Sequence, residues 1–218
     1  RRRHTRLRTV TGVQTCALPI CAGAVKLVLL GGPPASGKST LAGSVADRLG
    51  MVVLSTDRVR KEIAGIDPTT HAPAAYGTGI YTPEHTAATY AALVDRAERL
   101  LARGESVVLD GTWARADERA RAAELAARTT ADLVELRCEI DEATARRRFV
   151  TRDSISDADE DVAARMRAEA DPWPTSHPVD TGADLSASTD RACQLVRPHP
   201  LPSALPLGAR DRKSTRLN

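Results

Sequence analysis

The sequence predicts an α/β protein in which a parallel β-sheet carries helices on both faces, giving three layers. Two observations support this prediction. Short apolar runs alternate along the chain with longer amphipathic stretches, as expected for strands joined by crossover helices. The stretch GGPPASGKST at residues 31–40 links the first apolar run to the first amphipathic stretch, and glycine-rich connections of this kind join a strand to a helix at phosphate sites.

Five apolar runs are the predicted strands. They are rich in valine and leucine and too short to be buried helices. Turn residues or charged stretches bound each of them, so each run is expected to enter and leave the core once. In chain order they are Lys26–Leu30, Met51–Leu54, Ser106–Leu109, Asp132–Glu139 and the weaker Pro178–Asp180.

Helical periodicity and end signals mark the stretches between the strands. Leu41, Val45 and Leu49 recur every four residues, which places them on one face of a helix. Thr82 and Pro83 open the longest helix, because Thr is a favourable N-cap and Pro is favourable in the first turn. The predicted helices are Lys38–Leu49, Thr56–Ala64, Pro83 to Gly104, about 115–128, Asp141–Arg152, Asp157–Ala170 and Asp184–Val196, with a loop at 65–81.

The two ends of the chain do not enter the predicted fold. Residues 13–20 can be encoded GTT CAG ACG TGT GCT CTT CCG ATC, and residues 211–218 can be encoded GAT CGG AAG AGC ACA CGT CTG AAC. These strings are reverse complements in frame, which indicates one sequencing-library adapter translated in opposite directions. We therefore expect 1–20 and 211–218 to be translated adapter, 22–197 to be the folded domain with a lid at about 145–170, and 198–210 to be a Pro-rich tail or damaged end. The alternative for residues 1–8 is a basic arm that binds nucleic acid.

Composition gives no support for a nucleic-acid or membrane partner. The chain has 31 basic and 28 acidic residues, of which the two adapter segments hold eight basic and one acidic. The remaining 23 basic and 27 acidic residues give a net charge of −4, so nucleic acid is not the expected partner. No run reaches the ~18 apolar residues of a spanning helix, and the four cysteines have no metal-ligand spacing. A reducing, cytoplasmic setting is expected.

The glycine-rich stretch has the spacing of a phosphate-binding loop. Gly32–Ser39 fits the pattern G-x-x-x-x-G-K-[ST], in which backbone N–H groups and a helix N-terminus surround phosphate. Lys38 is expected to reach the β- and γ-phosphates of ATP, and Ser39 is expected to bind Mg²⁺ through its hydroxyl. The residues predicted to bind the nucleotide are Gly32, Pro33, Pro34, Ala35, Ser36, Gly37, Lys38, Ser39 and Thr40.

Acidic residues follow two of the other predicted strands. Asp57 and Arg60 lie one helical turn apart after the second strand, so they share a face. A carboxylate that takes a hydroxyl proton beside an arginine that binds an anion suits phosphoryl transfer to an alcohol. The alternative is that Asp57 only caps its helix. Asp110 ends the third strand and is expected to hold Mg²⁺ or to position the substrate; a helix cap is its alternative.

Basic residues after the fourth strand suggest a lid. Arg148 and Arg152 stand four apart on one helix face, where they are expected to close over the transferring phosphate and offset its charge. The alternative is a solvated basic face that pairs with Asp141, Glu142 and Asp153.

Two other classes of phosphate-loop protein are disfavoured. The chain has no N/T-K-x-D segment of the type by which switch GTPases read their base. The third strand ends in one carboxylate, Asp110, with no adjacent Glu of the type that ring-forming ATPases use. Transfer of the phosphoryl group is therefore favoured over mechanical work.

The order of these motifs resembles the P-loop kinase superfamily, and most closely a bacterial group of predicted kinases often labelled AAA-family ATPases. The D-x-x-R at Asp57 and Arg60 is similar to polynucleotide 5′-hydroxyl kinases, whereas zeta toxins and gluconate kinases are more distant. The resemblance implies a sheet ordered 2-3-1-4-5, ATP with Mg²⁺, and a possible fused N-terminal domain like an aminoglycoside phosphotransferase. It rests on Gly32–Thr40, Ser55–Arg60, Leu109–Trp113, Arg148–Arg152, His177–Thr181, Ala74–Gly77 and Gly79–Glu84.

The expected function is transfer of the γ-phosphoryl group of ATP to a hydroxyl of a small molecule. Lys38, Asp57, Arg148 and Arg152 are the expected catalytic residues, and Arg60 is expected to bind the acceptor. Two alternatives stay open. In the first alternative, the domain is an ATP-hydrolysing module that regulates a fused phosphotransferase. In the second, it is a kinase for the 5′-hydroxyl ends of polynucleotides.

Overall fold

The sheet has five parallel strands in the order β2-β3-β1-β4-β5, which confirms the predicted fold class and strand order. The computed structural model describes residues 24–68, 79–150, 165–166, 168–182 and 184–197. Short strands with both faces buried are typical of parallel sheets. The strands are β1 Lys26–Gly31, β2 Val52–Ser55, β3 Val107–Asp110, β4 Asp132–Glu139 and β5 His177–Asp180.

Helices cover both faces of this sheet. They are α1 Lys38–Leu49, α2 Thr56–Ile63, α3 Pro83–Leu101, α4 Ala116–Thr129, α5 Glu142–Val150 and α6 Leu185–Val196, with a 3₁₀ turn at Gly79–Tyr81. Successive strand residues point to opposite faces, so Leu27 and Leu29 pack against α3 and α4, whereas Val28 and Leu30 pack against α1 and α6. Cys138 is 2% exposed within the second cluster, where it packs as a small hydrophobic residue.

The element boundaries lie within a few residues of the predicted ones. Thr82 is the N-cap of α3, and its side chain accepts a hydrogen bond of 3.3 Å from His85 N. Asp184 caps α6 in the same way rather than being its first helical residue. Most of the predicted helix Asp157–Ala170, the end of Asp141–Arg152, the tail at 198–210 and the segments 1–20 and 211–218 lie outside the described residues.

The register of the strands brings three carboxyl ends to one edge of the sheet. Leu30 of β1 lies beside Asp110 of β3, and Asp110 lies beside Ser55 of β2. The phosphate loop therefore begins next to Asp110, and α2 with Asp57 begins one strand farther along. Carboxyl ends of parallel strands are where open α/β sheets bind ligands. In the described part of the chain, none of the helices has the length and apolar character needed to cross a membrane.

Candidate active site

The loop between β1 and α1 has the backbone of an anion cradle. Ala35 and Gly37 take left-handed conformations with φ of 61° and 82°, and Gly37 is the N-cap of α1. Gly37 has no side chain to cap the helix, so the first-turn N–H groups remain available to an anion. Ser36 N donates to Pro33 O at 3.3 Å, which closes the turn. Ser39 and Thr40 are exposed at the start of α1.

Both motif glycines have close neighbours. A Cβ on Gly32 would lie 2.9 Å from Ser36 Oγ and 3.1 Å from Cys138 Cβ. A Cβ on Gly37 would lie 3.0 Å from Nη1 of Arg148. The guanidinium of Arg148 therefore sits directly over the loop, on the side where the helix begins.

Arg148 is held in this position by the residue that follows β5. Its Nη2 donates to Thr181 O at 2.7 Å. The Thr181 hydroxyl lies 2.6 Å from Ser36 O and donates to it, so the loop, Thr181 and Arg148 form one connected unit. The structure thus brings Arg148 to the phosphate loop, whereas Arg152 lies outside the described residues.

Charged groups converge on the loop around Cys138. Burial raises the pKa of the Cys138 thiol to about 12; the charges of Lys38 and Arg148 act against that rise, and Asp110 adds to it. All three charges are therefore near the same thiol. Lys38 Nζ lies 3.4 Å from Pro33 O, within the loop itself.

Asp110 fits the role of a Mg²⁺ ligand. It is 4% exposed, and its Oδ1 has no hydrogen-bond partner among the described residues, so this buried oxygen is suited to an absent cation. No group of three or more His, Cys, Asp or Glu that could hold a metal occurs in the part of the chain that the structure describes. That Ser39 and Asp110 hold Mg²⁺ together stays a prediction, to which the structure adds the buried oxygen of Asp110.

Asp57 lies in the first turn of α2, directly after β2. The N-cap is Ser55, so Asp57 is not the cap residue that was the alternative for it. Its Oδ2 lies 3.1 Å from Nζ of Lys61, one turn later in the helix. The Lys61 side chain is 0% exposed and that of Asp57 is 33% exposed, so the ammonium lies beneath the carboxylate. Lys61 was not among the predicted site residues.

Arg60 lies beside Asp57 in a cluster of charged and aromatic side chains that also contains Tyr81, Tyr90 and Glu118. Its guanidinium lies 4.6 Å from the centre of the Tyr81 ring. Its Nε is buried, with no hydrogen-bond partner in the described ranges.

Tyr90 OH accepts a hydrogen bond from Trp113 N and lies 3.2 Å from Thr112 Oγ1. This network fixes the segment after β3, where Trp113 has a positive φ of 52°.

Glu118 is a buried acid in the same cluster, on the first turn of α4. It is 4% exposed. Burial raises its pKa to about 7, and the charge of Asp117 adds to the rise, whereas Arg115, the Tyr90 hydroxyl and Arg60 oppose it. Glu118 therefore changes charge near neutral pH.

Replacing Glu118 by Gln should flatten the pH dependence of stability. The folded pKa of Glu118 lies above the ordinary value of 4.5. The contribution of protonated Glu118 to the stability of the fold is therefore fully present below pH 4.5 and is lost as the pH rises through 7. We expect Glu118→Gln to raise the free energy of unfolding at pH 8 by up to about 3 kcal/mol. Urea unfolding between pH 4.5 and 8 measures this, with the exposed Glu124→Gln on the same helix as control. Parallel curves for wild type and Glu118→Gln would contradict the prediction.

A cavity of about 510 Å³ adjoins the first half of the loop. Its volume is in the range of small-molecule sites, about 300–1,000 Å³. Asp57 and Arg60 do not line it. Its walls come from the loop, the segment after β3, the end of β4 and the segment before β5: Gly32, Pro33, Thr112, Trp113, Ala114, Arg119, Arg137, Cys138, Glu139, Ile140, Met166, Ala170, Asp171, Pro172 and Trp173.

Arg119 ties two of these walls together. It donates to Trp113 O at 2.6 Å and to Pro172 O at 2.7 Å, and its guanidinium lies 5.1 Å from the Trp173 ring. Asp171 adds a second tie, because its Oδ2 accepts from Ala116 N at 2.8 Å. These contacts hold Trp173 against Gly31, the last residue of β1 before the phosphate loop.

Gly31→Ala should destabilise the protein through this contact. A Cβ on Gly31 would lie 2.4 Å from the Trp173 ring and 3.3 Å from Thr112 O. We expect a loss of about 1–3 kcal/mol in the free energy of unfolding, as for other overpacked sites. Gly43→Ala is the matched control, because its Cβ would meet nothing within 4 Å and helical Ala is favoured over Gly by about 1 kcal/mol. Equal midpoints for the two variants in urea would refute this account.

The sequence has long relatives in mycobacteria. The uncharacterized protein Rv2004c of Mycobacterium tuberculosis and the uncharacterized protein Mb2027c of Mycobacterium bovis are each 38% identical over 174 residues, which is 79% of this chain and 35% of theirs. The chain thus spans about a third of the length of the curated relatives that it matches.

Solved kinases share the fold at low sequence identity. A sugar kinase from Janibacter has a TM-score of 0.60 at 17% identity, covering 78% of this chain and 94% of its own. A gluconokinase from Sinorhizobium meliloti gives 0.57 at 19% identity, with 79% and 91% covered. The Mycobacterium tuberculosis APS kinase CysC, in complex with AMPPNP and APS, gives 0.56 at 19%, with 79% and 97% covered.

The fold of this chain is therefore that of the P-loop kinases. A family model described as an AAA domain matches residues 27–173, a range that begins in β1 and ends at Trp173 beside the loop. Since this match covers more than half of the sequence, the chain belongs to that AAA domain family of P-loop proteins.

Proposed function

We propose that the protein is an ATP-dependent kinase that transfers the γ-phosphoryl group to a hydroxyl of a small molecule. One observation carries this proposal. A phosphate loop with an arginine over it stands at the same sheet edge as Asp110 and the half-buried carboxylate of Asp57. Phosphoryl transfer needs mainly positioning and charge stabilisation, and this arrangement supplies candidates for both.

The loop residues and Lys38 would hold the triphosphate of ATP. Arg148, whose guanidinium already lies over Gly37, would stabilise the negative charge of the transferring group. Arg152, which lies outside the described residues, is proposed to do the same. Ser39 and Asp110 would hold Mg²⁺. When bound there, this ion would neutralise part of the phosphate charge.

Asp57 would act as the general base. It takes the proton of the acceptor hydroxyl as the acceptor oxygen forms its bond to the γ-phosphorus. The bond from that phosphorus to the β,γ-bridging oxygen breaks, and its electron pair leaves with ADP. Arg60, one turn from Asp57, would bind an anionic group of the acceptor, since a guanidinium suits carboxylates and phosphates.

A small acceptor is supported by the solved neighbours. They include a sugar kinase, a gluconokinase and an APS kinase, and their names describe small-molecule kinases.

A second function is favoured by the length of the relatives. The mycobacterial proteins are nearly three times as long as the matched segment, so this domain would act beside another one, which we propose to be phosphotransferase-like. In that case the domain would bind and slowly hydrolyse ATP as a regulatory module.

Incubation with γ-labelled ATP and Mg²⁺ separates the two functions. Pools of unphosphorylated sugars, sugar acids and nucleosides serve as acceptors, and the labelled products are separated from inorganic phosphate. A kinase gives an acceptor-dependent labelled product. Release of inorganic phosphate alone, at a rate that no pool changes, would overturn the kinase proposal and favour the regulatory module.

A further inference from the structure

The buried side chain of Lys61 has a feature that the proposed function leaves unused. Lys61 is 0% exposed and is among the largest fully buried side chains of the described structure. Its Nζ lies 3.1 Å from Asp57 Oδ2, and Asp57 stands in the first turn of α2. Lysine is almost never fully buried without a partner for its charge.

An exposed ion pair between α2 and α3 gives a comparison. Glu62 and Arg96 are 2.5 Å apart, but their side chains are 41% and 33% exposed. Pairs of that kind contribute little to stability and hold neither partner tightly. In contrast, the buried ammonium of Lys61 is removed from water and depends on a negative partner.

The position of the ammonium fixes one side of the Asp57 carboxylate. Lys61 reaches Oδ2 from the protein interior, whereas a third of the Asp57 side chain faces solvent. The contact of Lys61 with one oxygen restricts the rotation of the Asp57 carboxylate. A general base in this state loses little further entropy when it meets a hydroxyl.

We propose that Lys61 is a positioning residue for phosphoryl transfer: it holds Asp57 Oδ2 from beneath, so that Oδ1 faces the acceptor hydroxyl. This inference rests on the proposed function, because it gives Asp57 a proton to accept. In this role Lys61 acts through Asp57 and not through a contact of its own with the acceptor or ATP.

A double-mutant cycle of Asp57→Asn and Lys61→Met tests this inference. Met has nearly the length and volume of Lys, and apolar replacements of buried charges are often tolerated. The activity measured is transfer from γ-labelled ATP to the pooled sugars, sugar acids and nucleosides. We expect Lys61→Met to lower kcat by about 10- to 100-fold, as misplaced catalytic groups do, with the KM for ATP changed less than about twofold.

The cycle separates positioning from a merely structural role. In the Asp57→Asn background, Lys61→Met should lower kcat no further, because the group that it positions is gone. Arg96→Met is the matched control, since it breaks the exposed pair that joins α2 to α3, and it should leave kcat unchanged. Lys61→Leu provides a second neutral replacement if the Met variant does not fold.

Two results would overturn the inference, and they are distinguishable. If Asp57→Asn abolishes transfer while folded Lys61→Met retains the wild-type kcat, then Lys61 stabilises α2 and does not position the base. If transfer is absent in the wild type, or Asp57→Asn leaves it unchanged, the proposed function fails and the inference fails with it.

Discussion

Asp57→Asn should lower the rate of acceptor phosphorylation by about 10²- to 10⁴-fold, the usual contribution of a general base. The amide keeps the shape of the side chain but cannot take a proton. The affinity for ATP should change less than about twofold, since Asp57 follows β2, and β3 lies between β2 and the strand that leads into the loop. Initial rates with labelled ATP, together with calorimetric titration of ATP, measure both quantities.

The same substitution should also destabilise the protein, which must be separated from its effect on catalysis. Asp57→Asn removes the charge of the carboxylate that contacts the buried ammonium of Lys61. For a fully buried pair this costs about 3–5 kcal/mol; because Asp57 is one-third exposed, we expect about 2 kcal/mol. The double variant Asp57→Asn/Lys61→Met should recover most of this stability in urea unfolding without recovering activity. Recovery of both would show that Asp57 has no catalytic role.

Lys38→Met should lower transfer by about 10²- to 10³-fold, as expected when a charged donor to the transition state is lost. Lys38 is the first residue of α1, with Nζ lying 3.4 Å from Pro33 O inside the loop. In the proposed site its ammonium binds the β- and γ-phosphates, and Met retains its length but not its charge. Rates with labelled ATP at saturating Mg²⁺ measure the effect.

The control for this variant lies at the other end of the same helix. Arg48 belongs to the last turn of α1 and pairs with Asp190 on the surface. Arg48→Met removes the same amount of charge far from the loop, so it should leave transfer within about twofold, as exposed pairs contribute little. Equal losses in Lys38→Met and Arg48→Met would mean that net charge, and not phosphate contact, sets the rate.

The fold and the phosphate loop were predictable because their signals are local. The run Lys26–Gly31, the two motif glycines and the period of α1 all lie within about 25 consecutive residues. Strand boundaries shifted by one residue, as for β3, which includes Asp110. That shift arises because hydrogen bonding to β1 and β2 continues past the last apolar residue.

The surroundings of the candidate site were harder to predict because they depend on tertiary packing. Lys61 and Glu118 occupy charged helical stretches, where such residues are normally exposed; nothing in the sequence distinguishes them from Glu62 or Glu124. The i,i+4 spacing of Asp57 and Lys61 was a signal, but that spacing is common on surface helices. Thr181 lies 145 residues from its partner Ser36, a distance that periodicity does not span.

A crystal structure of the protein with Mg²⁺ and a non-hydrolysable ATP analogue tests the central claim most directly. That claim is that Asp57 faces the terminal phosphate across the width of one hydroxyl group. A hydrogen bond of ~3 Å plus an attack distance of ~3 Å predicts about 6 Å between an Asp57 carboxylate oxygen and the γ-phosphorus. A bound analogue with that separation beyond about 10 Å would contradict the account, because one hydroxyl could not bridge the gap.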